Sequence, residues 1–291
     1  MRIIYIDIDT LRADHLGCGG YHRNTSPNID TLASEGINFR NVYASDVPCL
    51  PSRTALITGM FGIRNGVINH GGRAADLQPE GKDRGFFGRF SMRSWASVFY
   101  LAGWHTASIS SFPFRHGASW WNSGFMESMN LMRGFGGERA DEVIPGALDW
   151  LDRRGKADDW FLHVHLWDPH TPYRTPEGYG NPFESDPVPS WHSEDVRMAN
   201  WDLSGPHSAQ EPWGFRPDEW GEPPPRQPWN ASSMDAVKQI FDGYDVGIRY
   251  ADDAVGVLLN KLADLGVLDD TAVLISSDHG EAFGELGVYA D

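Results

Sequence analysis

Three short runs of β-branched and aromatic residues, each ending in side chains that can do chemistry, most limit how this chain can fold. Ile3-Ile4-Tyr5-Ile6-Asp7-Ile8 leads into Asp9. Phe161-Leu162-His163-Val164-His165-Leu166 leads into Trp167-Asp168-Pro169-His170. Thr271-Ala272-Val273-Leu274-Ile275 leads into Ser276-Ser277-Asp278-His279. Such runs read as strands, and in open α/β sheets sites gather at the carboxyl ends of strands. Strands are predicted near residues 3–8, 37–43, 105–109, 160–167 and 271–277. Helices are predicted near 27–35, 51–58, 91–102, 141–154 and 234–265, with Ser26-Pro27 as a start signal and Gly36 as a stop. This alternation predicts a layered α/β fold: a mixed, mostly parallel sheet flanked by helices.

The segment with the sharpest chemical content is Cys49-Leu50-Pro51-Ser52-Arg53-Thr54-Ala55-Leu56-Ile57-Thr58-Gly59. Pro51 suits the first turn of a helix, where its missing N–H costs nothing. Gly59 suits the end of that helix. Cys49 then stands at a helix N-terminus, where free N–H groups and the helix dipole attract a sulfate or phosphate. Arg53, one turn on, can reach back to the same anion or to Cys49. The plainer alternative is a buried cysteine before an ordinary helix. Period-2 geometry puts Asp7 on the same side of its strand as Asp9. His163 and His165 alternate with apolar residues and read as hydrogen-bonded core histidines, and Asp14 reads as a loop carboxylate capping the next segment.

The form C-x-P-S-R-x-x-x-x-T-G resembles the sulfatase signature, and D-T-L-R-A-D-H from Asp9, P-H-T-P-Y from Pro169 and S-D-H-G-E from Ser277 resemble that family's partner motifs. The resemblance implies an alkaline-phosphatase-like fold in which Cys49 is oxidised to Cα-formylglycine by a formylglycine-generating enzyme. One hydroxyl of the hydrated aldehyde attacks sulfur and the other later expels sulfate. It further implies a metal set of Asp9, Asp278, His279 and the modified Cys49, with Thr10 where a second carboxylate often sits. Oxygen-rich ligation with one nitrogen suits a hard divalent cation, calcium first and then manganese or magnesium. Arg53 would stabilise the hydrate and the transferring group, and His170 would contact the ester oxygen. An imidazole suits that work near neutral pH.

Two departures qualify the resemblance. Where sulfatases usually carry G-K-W-H, the chain reads Ser110-Ser111-Phe112-Pro113. Arg115 and His116 follow closely as candidate substitutes, His116 as a substrate contact. Asn69 and His70 stand in the loop where related hydrolases place a polar substrate contact, with Asn69 in that role. The chain also reaches only Gly284-Glu285-Leu286-Gly287-Val288-Tyr289-Ala290-Asp291 after the Asp278-His279 strand. It is therefore expected to be the amino-terminal part of a sulfatase, truncated at Asp291, poorly active and prone to associate through an exposed sheet edge.

With 24 basic and 40 acidic residues the formal net charge is −16. Such a surface repels nucleic acid and anionic membranes, so an anionic ester must be drawn by a local positive site. No apolar run reaches the ~18 residues of a membrane span, and no signal-peptide pattern opens the chain. Two cysteines make no disulfide framework. Cys18 reads as a buried small hydrophobe, and the expected compartment is the reducing cytoplasm. Residues 1–291 are read as one domain, with an irregular excursion at about 174–233 over the active-site face, rich in Pro and Trp. Its rings either stack on sugar rings of a sulfated carbohydrate or pin the loop as its own small core.

Two other functions fit the same residues. One is a phosphonate monoester or phosphodiester hydrolase using the same site, since sulfate and phosphate share tetrahedral geometry. The other is a non-catalytic sulfatase-like binding protein.

Overall fold

The structure is a computed structural model that describes residues 1–78, 94–131, 137–212 and 225–290. The chain forms two compact units. The first comprises Met1–Asp9, Asn41–Trp167 and Ala254–His279, and the second Thr10–Arg40, Asp168–Asp253 and Gly280–Asp291.

The first unit is organised by a five-stranded sheet. Its strands are β1 (Arg2–Ile8), β2 (His105–Ile109), β3 (Glu127–Met129), β4 (Trp160–Leu166) and β5 (Thr271–Ser276). They lie in the order β3-β2-β4-β1-β5, and every neighbouring pair is parallel. β1 and β4 carry the core of the sheet: Ile4, Ile6, Ile8, Leu162, Val164 and Leu166 are fully buried. Asp7 is level with His165 across the β1–β4 pair, and Ser108 is level with His163 across the β2–β4 pair. Four of the five predicted strands are therefore present, and the sheet is parallel throughout.

The fifth prediction fails. Residues 37–43 form no strand, and Ile37, Phe39, Val42 and Tyr43 are more than two-thirds exposed. Alternation marks a strand only when another strand is there to accept its backbone bonds, and this stretch spans the boundary between the two units at Arg40. β3, which the sequence did not suggest, is only three residues long, Glu127-Ser128-Met129, as an edge strand often is.

The helices fall close to expectation: Pro27–Glu35, Cys49–Thr58, Trp95–Leu101, Ala140–Arg154 and Met234–Asp264. The signature helix starts at Cys49 rather than Pro51, because a proline is tolerated throughout the first turn and need not open it. The helix expected over 91–102 is seen from Trp95, where the Ser94 hydroxyl accepts the N–H of Ser97; residues 91–93 lie outside the described residues. Gly59 closes the signature helix in the left-handed conformation (φ +64°), with its N–H bonded to the Ala55 carbonyl.

In the second unit the excursion at 174–233 is not wholly irregular. Ser193 caps a helix, Glu194–Trp201, that the sequence reading missed. Arg226 ties the start of the excursion by donating to the carbonyls of Thr175 and Pro176. Phe183 is buried, while Trp191 is 43% exposed; Trp213 and Trp220 lie outside the described residues. Cys18 is half-buried rather than core, on a turn whose N–H donates to Asp30. Asp14 is an exposed partner of Arg12. Among the described residues no helix is long and apolar enough to cross a membrane.

Candidate active site

The first unit brings the chemistry-bearing ends of β1, the signature helix and β5 together. β1 projects Asp7 and Asp9 to one side, and the ladder continues one residue past the strand through the Asp9 N–H to the Leu166 carbonyl (2.9 Å). Cys49 is the first residue of the signature helix and is buried in an apolar cluster with Leu50, Ile57, Phe112, Trp121 and Trp167. Ser52 fastens that helix to the turn after β5 by donating to the Asp278 carbonyl at 2.6 Å. Cys49 Sγ then lies 3.2 Å from His279 Nε2 and 3.9 Å from Asp9 Oδ1. Ligand atoms of Asp9, Cys49, Asp278 and His279 all fall within 4.8 Å of one another.

Arg53, one turn along the helix, is fully buried. It clamps Asp7 with two bonds, Nε to Oδ2 at 2.7 Å and Nη2 to Oδ1 at 3.0 Å. Its Nη1 donates to Asp9 Oδ2 at 3.0 Å and also to Asp278 Oδ2. The sequence reading aimed this guanidinium at the anion or at Cys49; its bonds here go to three carboxylates instead. The cause is charge: a guanidinium buried beside three acids binds them before anything else. Three carboxylates against one guanidinium leave an excess of two formal negative charges in a buried site.

The titration of the cluster shows the same imbalance. Burial opposes ionisation of Asp7, but the Arg53 charge and the neighbouring His163 outweigh it and hold the carboxyl well below its usual range. Asp278 is pushed the other way, by burial and by the negative charges of Asp9 and Asp7, despite Arg53. Burial alone would lower Arg53, yet Asp278, Asp7 and Asp9 keep it firmly charged. A cluster that pulls its acids apart in this way is short of positive charge. Three acidic or imidazole donors beside Cys49, with two charges to balance, fit a divalent cation.

Behind the carboxylates stand two histidines that the sequence reading assigned to the core. They are core, and they also touch the site. His165 Nε2 is 3.3 Å from Asp9 Oδ2, and its Nδ1 is 3.3 Å from the Ser110 hydroxyl. His163 Nε2 is 3.6 Å from Asp7 Oδ2, and its Nδ1 is 2.9 Å from the Ser108 hydroxyl. Burial lowers the His163 pKa and keeps the ring neutral. The signal available in the sequence was the shared period of two: His-x-His on β4, and Ser108-x-Ser110 at the end of β2 and just past it.

The proposed substrate contacts are more scattered. His70 Nε2 accepts the Leu50 N–H at 3.3 Å, the second N–H of the signature helix, and its ring lies 4.8 Å from that of His116. Burial, then His70 and Arg115, lower the His116 pKa to about 3, and its Nε2 has no partner among the described residues. Arg115 lies over the Trp167 ring. Asn69 is exposed and accepts the His70 N–H at 2.7 Å.

Thr10 and His170 belong to the second unit. Thr10 is buried in the left-handed region (φ +53°), rare for a β-branched residue. Tyr244 holds it there by donating to the Thr10 carbonyl at 2.6 Å while accepting the Arg12 N–H at 2.9 Å. His170 is half-buried, with Nδ1 against the Thr171 carbonyl. The motifs carrying His170 and His279 are continued by Tyr173 and Glu281, whose side chains bond to each other at 2.6 Å within this unit.

The Sulfatase family model matches residues 2–291. The chain belongs to the sulfatase family. Among curated sulfatases it is 27% identical to human iduronate 2-sulfatase, covering all of this chain and 56% of that protein. It is 23% identical to the arylsulfatase of Clostridium perfringens, covering 97% and 63% respectively. It thus spans somewhat more than half the length of these sulfatases. The fold agrees with solved relatives: a phosphonate monoester hydrolase of Agrobacterium radiobacter (TM-score 0.69, 19% identity, 98% of this chain and 63% of that one), and a protein in complex with its substrate D-glucosamine-2-N,6-O-disulfate (TM-score 0.71, 18% identity, 99% and 67%).

Proposed function

We propose that the chain carries the nucleophile and metal-ligand half of a sulfuric ester hydrolase. The observation that bears most weight is the meeting of Cys49, Asp9, Asp278 and His279 within one ligand-sized space at the start of a helix. Oxidised to formylglycine and hydrated, residue 49 would present one hydroxyl to sulfur and keep a second to expel sulfate as the aldehyde re-forms. Asp9, Asp278 and His279 would hold one divalent cation, calcium in preference to manganese or magnesium, with Thr10 contributing a hydroxyl or an ordered water. That cation supplies Lewis-acid polarisation of the ester oxygens and lowers the pKa of the nucleophile. Arg53 would keep Asp7, Asp9 and Asp278 ionised and aligned. His170 would meet the ester oxygen, and the neutral His116 would accept a hydrogen bond from the substrate beside Asn69.

The named relatives support a carbohydrate sulfate as substrate: iduronate 2-sulfatase and N-acetylgalactosamine-6-sulfatase. The partners are then a small anionic ester and a formylglycine-generating enzyme. The two thiols are both free, in keeping with a reducing cytoplasm. The test is to mature the protein in a host with the generating enzyme, then compare aryl sulfate with phenyl phosphonate ester. Sulfate release dependent on conversion of residue 49 is expected. Faster phosphonate turnover would shift the assignment to a phosphonate monoester hydrolase with the same site, and binding without turnover of either would leave a binding protein.

A further inference from the structure

Before conversion, residue 49 is a thiol, and the four donors around it are sulfur, imidazole nitrogen and two carboxylate oxygens. That is a zinc donor set, not a calcium one: thiolate and imidazole suit borderline-soft cations, whereas calcium takes six to eight oxygens. The spacing agrees. Zinc bonds of about 2.3 Å to sulfur, about 2.0 Å to nitrogen and about 2.0 Å to oxygen, set tetrahedrally, separate S from N and S from O by about 3.5 Å. The two separations here, 3.2 Å from Sγ to His279 Nε2 and 3.9 Å from Sγ to Asp9 Oδ1, bracket that value. Asp9 presents Oδ1 to the sulfur while Oδ2 takes Arg53 and His165, so a cation on Oδ1 leaves those supports in place. Hydrogen-bond partners of this kind fix ligand orientation in metal sites.

We propose that the unconverted chain holds a four-coordinate zinc ion through Cys49, His279, Asp9 and Asp278, and that conversion of Cys49 abolishes this preference. Zinc binding displaces one proton from the thiol to solvent and involves no redox change. Formylglycine has no sulfur, so the same pocket then offers oxygen donors and one nitrogen and turns to a hard cation. One residue's maturation state thereby selects the metal. The inference does not require that the chain hydrolyse esters, because the donors are present either way.

The test uses the unconverted protein, verified by intact mass, freed of metal and titrated with cobalt(II) as a spectroscopic stand-in for zinc. Expected are a thiolate-to-cobalt charge-transfer band and the intense visible bands of four-coordinate cobalt, both removed by added zinc. Cys49→Ser should lose the charge-transfer band. It should also weaken zinc by more than the roughly 10–100-fold that loss of a supporting hydrogen bond costs, while changing manganese affinity little. Cys18→Ser should keep the band. A weak six-coordinate cobalt spectrum, a band that survives Cys49→Ser, or a band that persists in fully converted protein would each overturn the proposal. Sulfate release by converted protein is scored separately, so either reading can fail alone.

Discussion

Each unit buries a cluster of charges, and the two clusters differ in how their charges balance. In the second unit Asp245 receives His15 Nδ1 on one oxygen at 2.7 Å, and the Tyr21 hydroxyl and Arg23 Nη1 on the other at 2.7 and 2.8 Å. Arg23 also donates through Nη2 to the carbonyls of Asp186 and Pro187 and pairs with Asp242, which Lys238 meets as well, while its Nε has no partner among the described residues. Burial and Asp245 push the Tyr21 pKa up, so its hydroxyl stays a donor. In the first unit one guanidinium serves three carboxylates, and one of them, Asp278, has its pKa raised. A buried cluster whose charges balance holds a fold together. A cluster left short of positive charge is one that binds.

The largest effect that tests this contrast is on the nucleophile. Cys49→Ala should give no aldehyde label in a converting host and should cut ester turnover by on the order of 10⁶, as loss of a covalent nucleophile does. Equal labelling of both proteins would remove the first unit's claim to be a site.

Next come the two aspartates. Asp245→Asn should cost about 3–5 kcal/mol of stability in denaturant melts, because it strips Arg23 of its central buried counter-charge. Asp278→Asn should abolish calcium and manganese binding in calorimetry, yet leave the metal-free protein as stable or more so, since Arg53 keeps Asp7 and Asp9. The sign follows from its raised pKa. A carboxyl whose folded pKa exceeds its unfolded value opposes folding as pH rises above about 4, and a bound cation reverses that. Equal destabilisation by the two variants would erase the difference between the clusters.

A smaller effect concerns His116. Its folded pKa of about 3 lies below the ordinary histidine value. The unfolded chain therefore binds more protons, and stability falls as pH drops from about 6.5 toward 3. His116→Gln should flatten that slope in melts recorded across this range; an unchanged slope would mean the ring is not held neutral. Smallest is Asp14→Ala, which breaks a solvent-exposed pair with Arg12 and should change stability by less than about 1 kcal/mol. A larger loss would show that exposed pairs rival buried ones here.

The sequence revealed the residues at strand ends better than the contacts between strands. Asp9, Asp278 and His279 follow apolar runs, and Cys49 stands just before Pro51 at the start of a helix that Gly59 ends, so their meeting was legible. The partners of His165 and His163 were not, because they depend on which residue of β4 lies beside which of β1, and a shift by one would turn each side chain to the other face. Arg53 was placed on the right turn, but its bonds to Asp7, Asp9 and Asp278 were not foreseen, since its choice among neighbours is set by the summed charge of residues far apart in sequence. β3 escaped because three residues are too few to show a period, and residues 37–43 misled because their alternation has no neighbouring strand among the described residues to satisfy it.

The line from the Ser110 hydroxyl through the His165 ring to Asp9 Oδ2 gives this pocket an internal gauge. The carboxylate has one oxygen toward Cys49 and the other toward the imidazole, so anything that draws electron density from the first is felt at the second. The ring nitrogens of His165 should therefore change resonance frequency when the pocket fills, though the ring sits beneath it and meets no solvent. Nitrogen-15 spectra of selectively labelled histidine would then follow occupancy in real time without any probe placed where substrate binds.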